Sequence, residues 1–127
     1  NLALCQARLA ELSAHNAILF QSGAAIISAS ASAELDAFAE ALVLCPNAAI
    51  DVEGHTDSDG DDQRNLALSV ARAEAVVNAL IERGVAPERL YAIGYGEAQP
   101  VADNATAAGK RQNRRIVVSV RAAGGAV

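Results

Sequence analysis

The stretch AAIDVEGHTDSDGDDQRNLALSVARAEAVVNALIERG constrains the fold of this chain more than any other. Residues 48–56 alternate, with Ile50, Val52 and Gly54 on one side and Asp51, Glu53 and His55 on the other. A period of two is the mark of a strand with one buried face. The period then changes. Over 66–83, Ala73, Val76, Val77 and Leu80 recur at helical spacing, and Gly84 follows as a left-handed C′ residue. A half-buried strand that feeds a long amphipathic helix through one polar turn calls for helices packed over a sheet.

The flanking segments extend that pattern. LALCQARLAELS (2–13) places Leu2, Cys5, Leu9 and Leu12 on one helical face. AILF (17–20) reads as a short strand that ends in the turn QSG. Residues 32–44 predict a second helix with Leu35, Phe38, Ala39 and Leu42 inward, stopped by Pro46. LYAIGYG (90–96) is a third strand, its Gly94 and Gly96 marking a turn or close backbone approach. Residues 106–113 form a short helix that Thr106 can cap, and RRIVVSV (114–120) is a fourth strand. AAGGAV (122–127) reads as a flexible tail. Strands alternating with helices, with no repeat or dividing linker, predict one α/β sandwich.

Composition narrows the function classes. Apolar residues make up 52% of the chain and aromatics 3%, so Ala, Val, Leu and Ile must build the core. Base-stacking platforms, which need exposed aromatics, are excluded. The net charge of −5 repels phosphate backbones, so no nucleic-acid partner is expected. The basic cluster Lys110, Arg111, Arg114 and Arg115 reads as a solvated helix end. No apolar run approaches the roughly 18 residues of a membrane span, and no segment of the given residues is expected to be a signal peptide. The chain starts at Asn1, as a piece of a longer protein would. Its two cysteines, Cys5 and Cys45, are either a disulfide or two buried thiols. A bond would close a loop of about forty residues, contribute about 3–4 kcal/mol and imply an oxidising compartment.

GHTDSDGDDQR (54–64) concentrates the polar chemistry. A calcium loop of the EF-hand kind needs Gly at position 6 and Glu at position 12. Counting from Asp57 gives Asp62 and Leu68; counting from His55 gives Gly60 and Leu66. Both registers fail. Zinc would have to recruit His15, far away in sequence, to join His55 and Asp57. No Gly-x-Ser-x-Gly elbow exists, and nothing in the turn builds the deep pocket that paired-carboxylate catalysis requires. No metal, no cofactor and no enzymatic activity are expected. Two readings stay open, a structural Asp–Arg tie and a small-ligand pocket. Asp57 lies at the strand's end, and Arg72, bordering the buried helical stripe, reaches back toward the helix start. With the free N–H groups of the helix N-terminus, that corner suits a zwitterionic amino-acid head.

The motifs themselves resemble a known family. A T-D pair followed by N-x-x-L-S-x-x-R-A-x-x-V is similar to the signature of the OmpA-like peptidoglycan-binding domain, which is found in porins, peptidoglycan-associated lipoproteins and flagellar stator proteins. Here it comprises Thr56, Asp57, Gly60, Asn65, Leu68, Ser69, Arg72, Ala73 and Val76. ILFQSGAAII, CPNAAIDVEGHTD and GYGEAQPVADNATAAGKRQNRRIVVSV resemble other segments of that family, so the likeness covers roughly residues 17–121. It implies a two-layer sandwich with a mixed four-stranded sheet in the order 1-4-2-3, strand 4 antiparallel. Residues 1–16 would then be an N-terminal helical extension, 17–121 the OmpA-like domain and 122–127 the tail.

The resemblance also implies a function, non-catalytic binding of the diaminopimelate in a peptidoglycan stem peptide. Asp57 and Arg72 are the implied principal ligand residues. Leu68 lines the same pocket, Asn65 shapes the loop or touches ligand, and Gly23 and Ala24 contribute backbone groups. Many relatives carry an acid in the first loop; this chain has QSGAA, which leaves only backbone N–H donation there. Asp57 and Arg72 would neutralise one another in the empty site, while Asp61 and Asp62 read as solvated and Gly60 as a turn residue with positive φ. A periplasmic module of an outer-membrane-associated parent follows, monomeric or weakly dimeric, with Cys5 stapling the extension to Cys45. The alternative of another class is a protein–protein interaction or dimerisation module on the same fold.

Overall fold

The computed structural model describes residues 2–123. The tail expected over 122–127 therefore lies outside the described residues from 124 onward. Four helices and three strands follow in the order α1 (Leu2–Ala14), α2 (Ser32–Leu42), β1 (Ala49–His55), α3 (Asp62–Glu82), β2 (Leu90–Gly96), α4 (Ala107–Asn113) and β3 (Arg115–Arg121). The sheet order is β2-β1-β3, with β2 parallel and β3 antiparallel to β1.

The alternation in β1 sets the layering. Ile50 and Val52 are fully buried, and their cross-strand partners Val120 and Val118 bury the same face. α3 lies directly against that face. A Cβ on Gly54 would collide with the Ser69 carbonyl, and one on Gly94 with Val70, so two glycines let the helix settle onto β1 and β2. Ser69 locks the contact: its Oγ donates to Leu66 O at 2.7 Å and accepts from Gly96 N at 2.9 Å. Phe38, Leu35 and Leu42 of α2 and Leu9 and Leu12 of α1 complete an aliphatic core with one large aromatic at its centre.

Helix ends follow local chemistry. α3 begins at Asp62, four positions before the helical run expected from the apolar spacing at 66, because Asp61 caps it: its Oδ2 accepts from Arg64 N at 3.1 Å. Asp62 sits in the first turn, where the macrodipole favours an acid. α3 stops as Gly84 turns left-handed at φ +94, with Val85 N bonded to Leu80 O and Gly84 N to Ile81 O. Thr106 caps α4 by accepting from Gly109 N at 2.9 Å. α2 ends at Leu42, and residues 43–45 tighten into i→i+3 bonds ahead of Pro46.

One expected element is corrected. Residues 17–20 do not form a fourth strand of the sheet, which has three strands among the described residues. Phe20 makes a single bridge to Ile27, with Ser28 N bonded to Leu19 O and Gln21 N to Ile26 O, so this segment folds back on itself as a small hairpin. The edge it was expected to join is occupied by α1. Ser13 Oγ accepts from Val118 N at 3.1 Å and donates to Val118 O at 3.5 Å, and Gln6 Nε2 donates to Val120 O at 3.2 Å. Side chains of a helix thus satisfy the outer edge of β3. Cys5 and Cys45 are joined in a disulfide that fastens α1 to the end of α2. Without its expected first strand, the remaining order is still that of the 4-2-3 portion of the predicted sheet.

Candidate functional site

Asp57 leaves the end of β1 and is 7% exposed. Thr56 N bonds to Gly96 O at 2.9 Å, which holds the exit of β1 against the end of β2. Asp57 Oδ1 accepts from Asp59 N at 3.0 Å, and its Oδ2 accepts from Arg114 Nη1 at 2.6 Å. Asn65, from the first turn of α3, binds the loop from beneath. Its Nδ2 donates to Asp57 O, Asp59 O and Glu97 Oε1 at 3.3, 2.9 and 3.2 Å. The loop is therefore closed by side-chain-to-backbone bonds, with Gly60 at φ +82 in its turn.

Arg72, half-buried on α3, reaches the hairpin that follows α1. Its Nε donates to Ala24 O at 2.9 Å and its Nη2 to Gln21 O at 3.5 Å, and the guanidinium lies 4.9 Å from the Phe20 ring centroid. Burial lowers the Arg72 pKa from its ordinary value, the neighbouring Arg114 adds to this, and Asp57 opposes it. The hairpin tip is a turn in which Ala24 N bonds to Gln21 O at 3.1 Å and Gly23 takes φ +66.

Asp57, Arg72 and Gly23 line one cleft of about 870 Å³, together with Phe20, His55 and Arg114. Ala24, Asn65 and Leu68 do not line it. Ala24 spends its N–H on the turn and its carbonyl on Arg72, Asn65 shapes the loop, and Leu68 is half-buried on α3. The expected direct Asp57–Arg72 pair is also replaced. Arg114 holds the carboxylate, and two backbone carbonyls hold Arg72, which leaves Arg72 Nη1 without a partner among the described residues.

Arg114 is the site residue that spacing did not single out. It belongs to the basic cluster read as a solvated helix end, and its partner lies 57 positions away. His55 is the other. Read as a strand-end residue, it is 3% exposed, stacks on Tyr95 with centroids 5.1 Å apart, and pairs through Nε2 with Glu53 Oε1 at 3.1 Å. Its Nδ1 has no partner among the described residues. Burial pushes the His55 pKa down, against the hydrogen bond to the Glu53 carboxylate and with the help of Arg115.

One acidic residue, Asp57, and four arginines, Arg72, Arg111, Arg114 and Arg115, thus line the cleft, a donor and acceptor set for a ligand that carries both charges. No group of three or more His, Cys, Asp or Glu able to hold a metal ion comes together among the described residues. No helix there is long and apolar enough to cross a membrane.

Known proteins share this arrangement of elements. The chain is 41% identical over 105 residues to outer membrane porin F of Pseudomonas fluorescens, a match covering 83% of this chain and 32% of the porin. It is 40% identical over 107 residues to a peptidoglycan-associated lipoprotein of Rhizobium meliloti, covering 84% of this chain and 61% of the lipoprotein. The chain thus spans less than two thirds of each of these relatives. The crystal structure of the peptidoglycan-associated lipoprotein from Burkholderia pseudomallei superimposes with a TM-score of 0.71 at 34% identity, over 81% of this chain and 86% of that one. The family model of the OmpA family matches residues 19–114, from the hairpin through the end of α4. With three quarters of its length under that model and its sheet, loop and cleft in place, the chain belongs to the OmpA family.

Proposed function

We propose that this chain is a non-catalytic module that binds peptidoglycan through the diaminopimelate of a stem peptide and so anchors an envelope protein to the cell wall. The observation that carries this reading is the pair of opposite charges, Asp57 and Arg72, lining one cleft from two different elements. Two of the relatives above are named as peptidoglycan-associated, which supports the wall as partner. Arg72, already oriented by Ala24 O and Gln21 O, offers Nη1 to the ligand's carboxylate. Asp57 takes the ammonium, and Arg114 neutralises it while the site is empty. Gly23 lines the cleft wall in a left-handed turn, while Asn65 acts through the loop. Placement in the periplasm, in a parent protein associated with the outer membrane, belongs to the same reading.

Co-sedimentation with purified diaminopimelate-type sacculi tests it. The wild-type chain sediments with the wall, and Asp57→Ala and Arg72→Ala each weaken retention about tenfold or more, the scale of one lost charged hydrogen bond. Undiminished retention of both folded variants would contradict the site. A wild-type chain that ignores sacculi would favour the protein–protein module.

A further inference from the structure

The cleft exceeds what one zwitterionic head needs. Its volume of about 870 Å³ lies in the upper part of the roughly 300–1,000 Å³ range that encloses drug-sized ligands. A second wall stands where the end of α1 meets the end of α4, built from His15, Asn16, Arg111 and Gln112. Its charge is unbalanced. Four arginines, Arg72, Arg111, Arg114 and Arg115, line the cleft against a single acidic residue, Asp57, in a chain whose net charge is −5.

The basic cluster at the end of α4 divides by partner. Lys110 pairs with Asp59 at 3.2 Å and Arg114 with Asp57. Arg115 donates to Asn113 O and Gln99 O at 3.1 and 3.0 Å. Arg111 also lines the cleft, and its guanidinium has no hydrogen bond or ion pair among the described residues. Its backbone is nonetheless fixed. Asn16, in the left-handed region at φ +49, donates from Nδ2 to Arg111 O at 3.3 Å and to Arg114 O at 3.1 Å. One carboxamide from the N-terminal extension therefore positions the backbone of both an engaged and a free cation.

We propose that Arg111, positioned by Asn16, forms a second anion subsite that takes a further carboxylate of the same peptide, on the residue adjoining the one held by Asp57 and Arg72. The inference rests on the function proposed above. In a peptidoglycan stem, a γ-linked D-glutamate adjoins the diaminopimelate and leaves its α-carboxylate free, and amidation to isoglutamine removes that charge. Arg111 therefore makes the module discriminate between acidic and amidated stems. Asn16 lies outside the residues that the family model matches.

Calorimetric titration with synthetic L-Ala-γ-D-Glu-meso-diaminopimelate and with its D-isoglutamine counterpart tests this. Wild type prefers the acidic peptide by about fivefold, the upper end for an exposed charge pair. Arg111→Gln binds both peptides equally, and Arg111→Lys restores part of the preference. An unchanged preference in Arg111→Gln, or no preference in wild type, overturns the second subsite. If binding of both peptides remains sensitive to Arg72→Ala in that case, the primary site stands alone. Failure of wild type to bind either peptide overturns both readings.

Discussion

His55 shows how one residue couples the site to solution conditions. It is buried beside the cleft, stacked on Tyr95, and its pKa is lowered chiefly by burial. A histidine whose folded-state pKa lies below the ordinary value of 6.5 binds fewer protons when folded than when unfolded. The stability it contributes is therefore complete above about pH 6.5 and is lost as the pH falls through the folded-state value. We expect the melting temperature to drop between pH 7.5 and pH 5 in the wild type, and to drop less in His55→Gln. Equal slopes would show that another group governs that range. Residue roles were unevenly legible in the sequence. Asp57 and Arg72 stood out through a strand end, a helical face and a motif. The Asp57–Arg114 pair did not, because a contact across 57 positions leaves no local period to read.

At the scale of elements, strand and helix assignments succeeded where the chain itself determines the burial pattern. β1 and β3 follow alternation, and α3 follows its apolar stripe down to Gly84, while its start at Asp62 depends on the Asp61 cap that the apolar spacing does not mark. The segment 17–20 failed because four apolar residues do not specify a partner. Its fate depended on α1, whose Ser13 and Gln6 already occupy the β3 edge. Removal of residues 1–16 would bare that edge and cut the disulfide tie. The truncated chain is expected to self-associate through β3, seen as a rise in mass by light scattering; a strictly monomeric and equally stable product would contradict the edge-capping role. The α3–sheet contact makes a second demand. Gly54→Ala drives a methyl into the Ser69 backbone, so urea denaturation should show a loss of about 1–3 kcal/mol. Unchanged stability would mean that α3 can lift off the sheet without cost.

The whole molecule sets a cationic cleft within an acidic chain. Repulsion from polyanions and local attraction for a carboxylate coexist because the basic residues of α4, β3 and α3 converge on one opening. Interactions at a half-open cleft are individually weak, so micromolar or weaker affinity for a single stem peptide is expected, with retention on the wall coming from many stems in parallel. Sheet order and layering were legible in the sequence through the strand–turn–helix run and the family likeness. The width of the cleft was not, because its second wall belongs to the extension and depends on how α1 docks.

The most direct test is a titration with otherwise identical muropeptides that carry either diaminopimelate or lysine at the third position. Lysine lacks the extra carboxylate that the proposed site would hold through Arg72. The diaminopimelate form should bind at least about tenfold more tightly, a difference that disappears in Arg72→Ala. Equal binding of the two forms by the wild-type chain would contradict the assignment of the cleft as a diaminopimelate site.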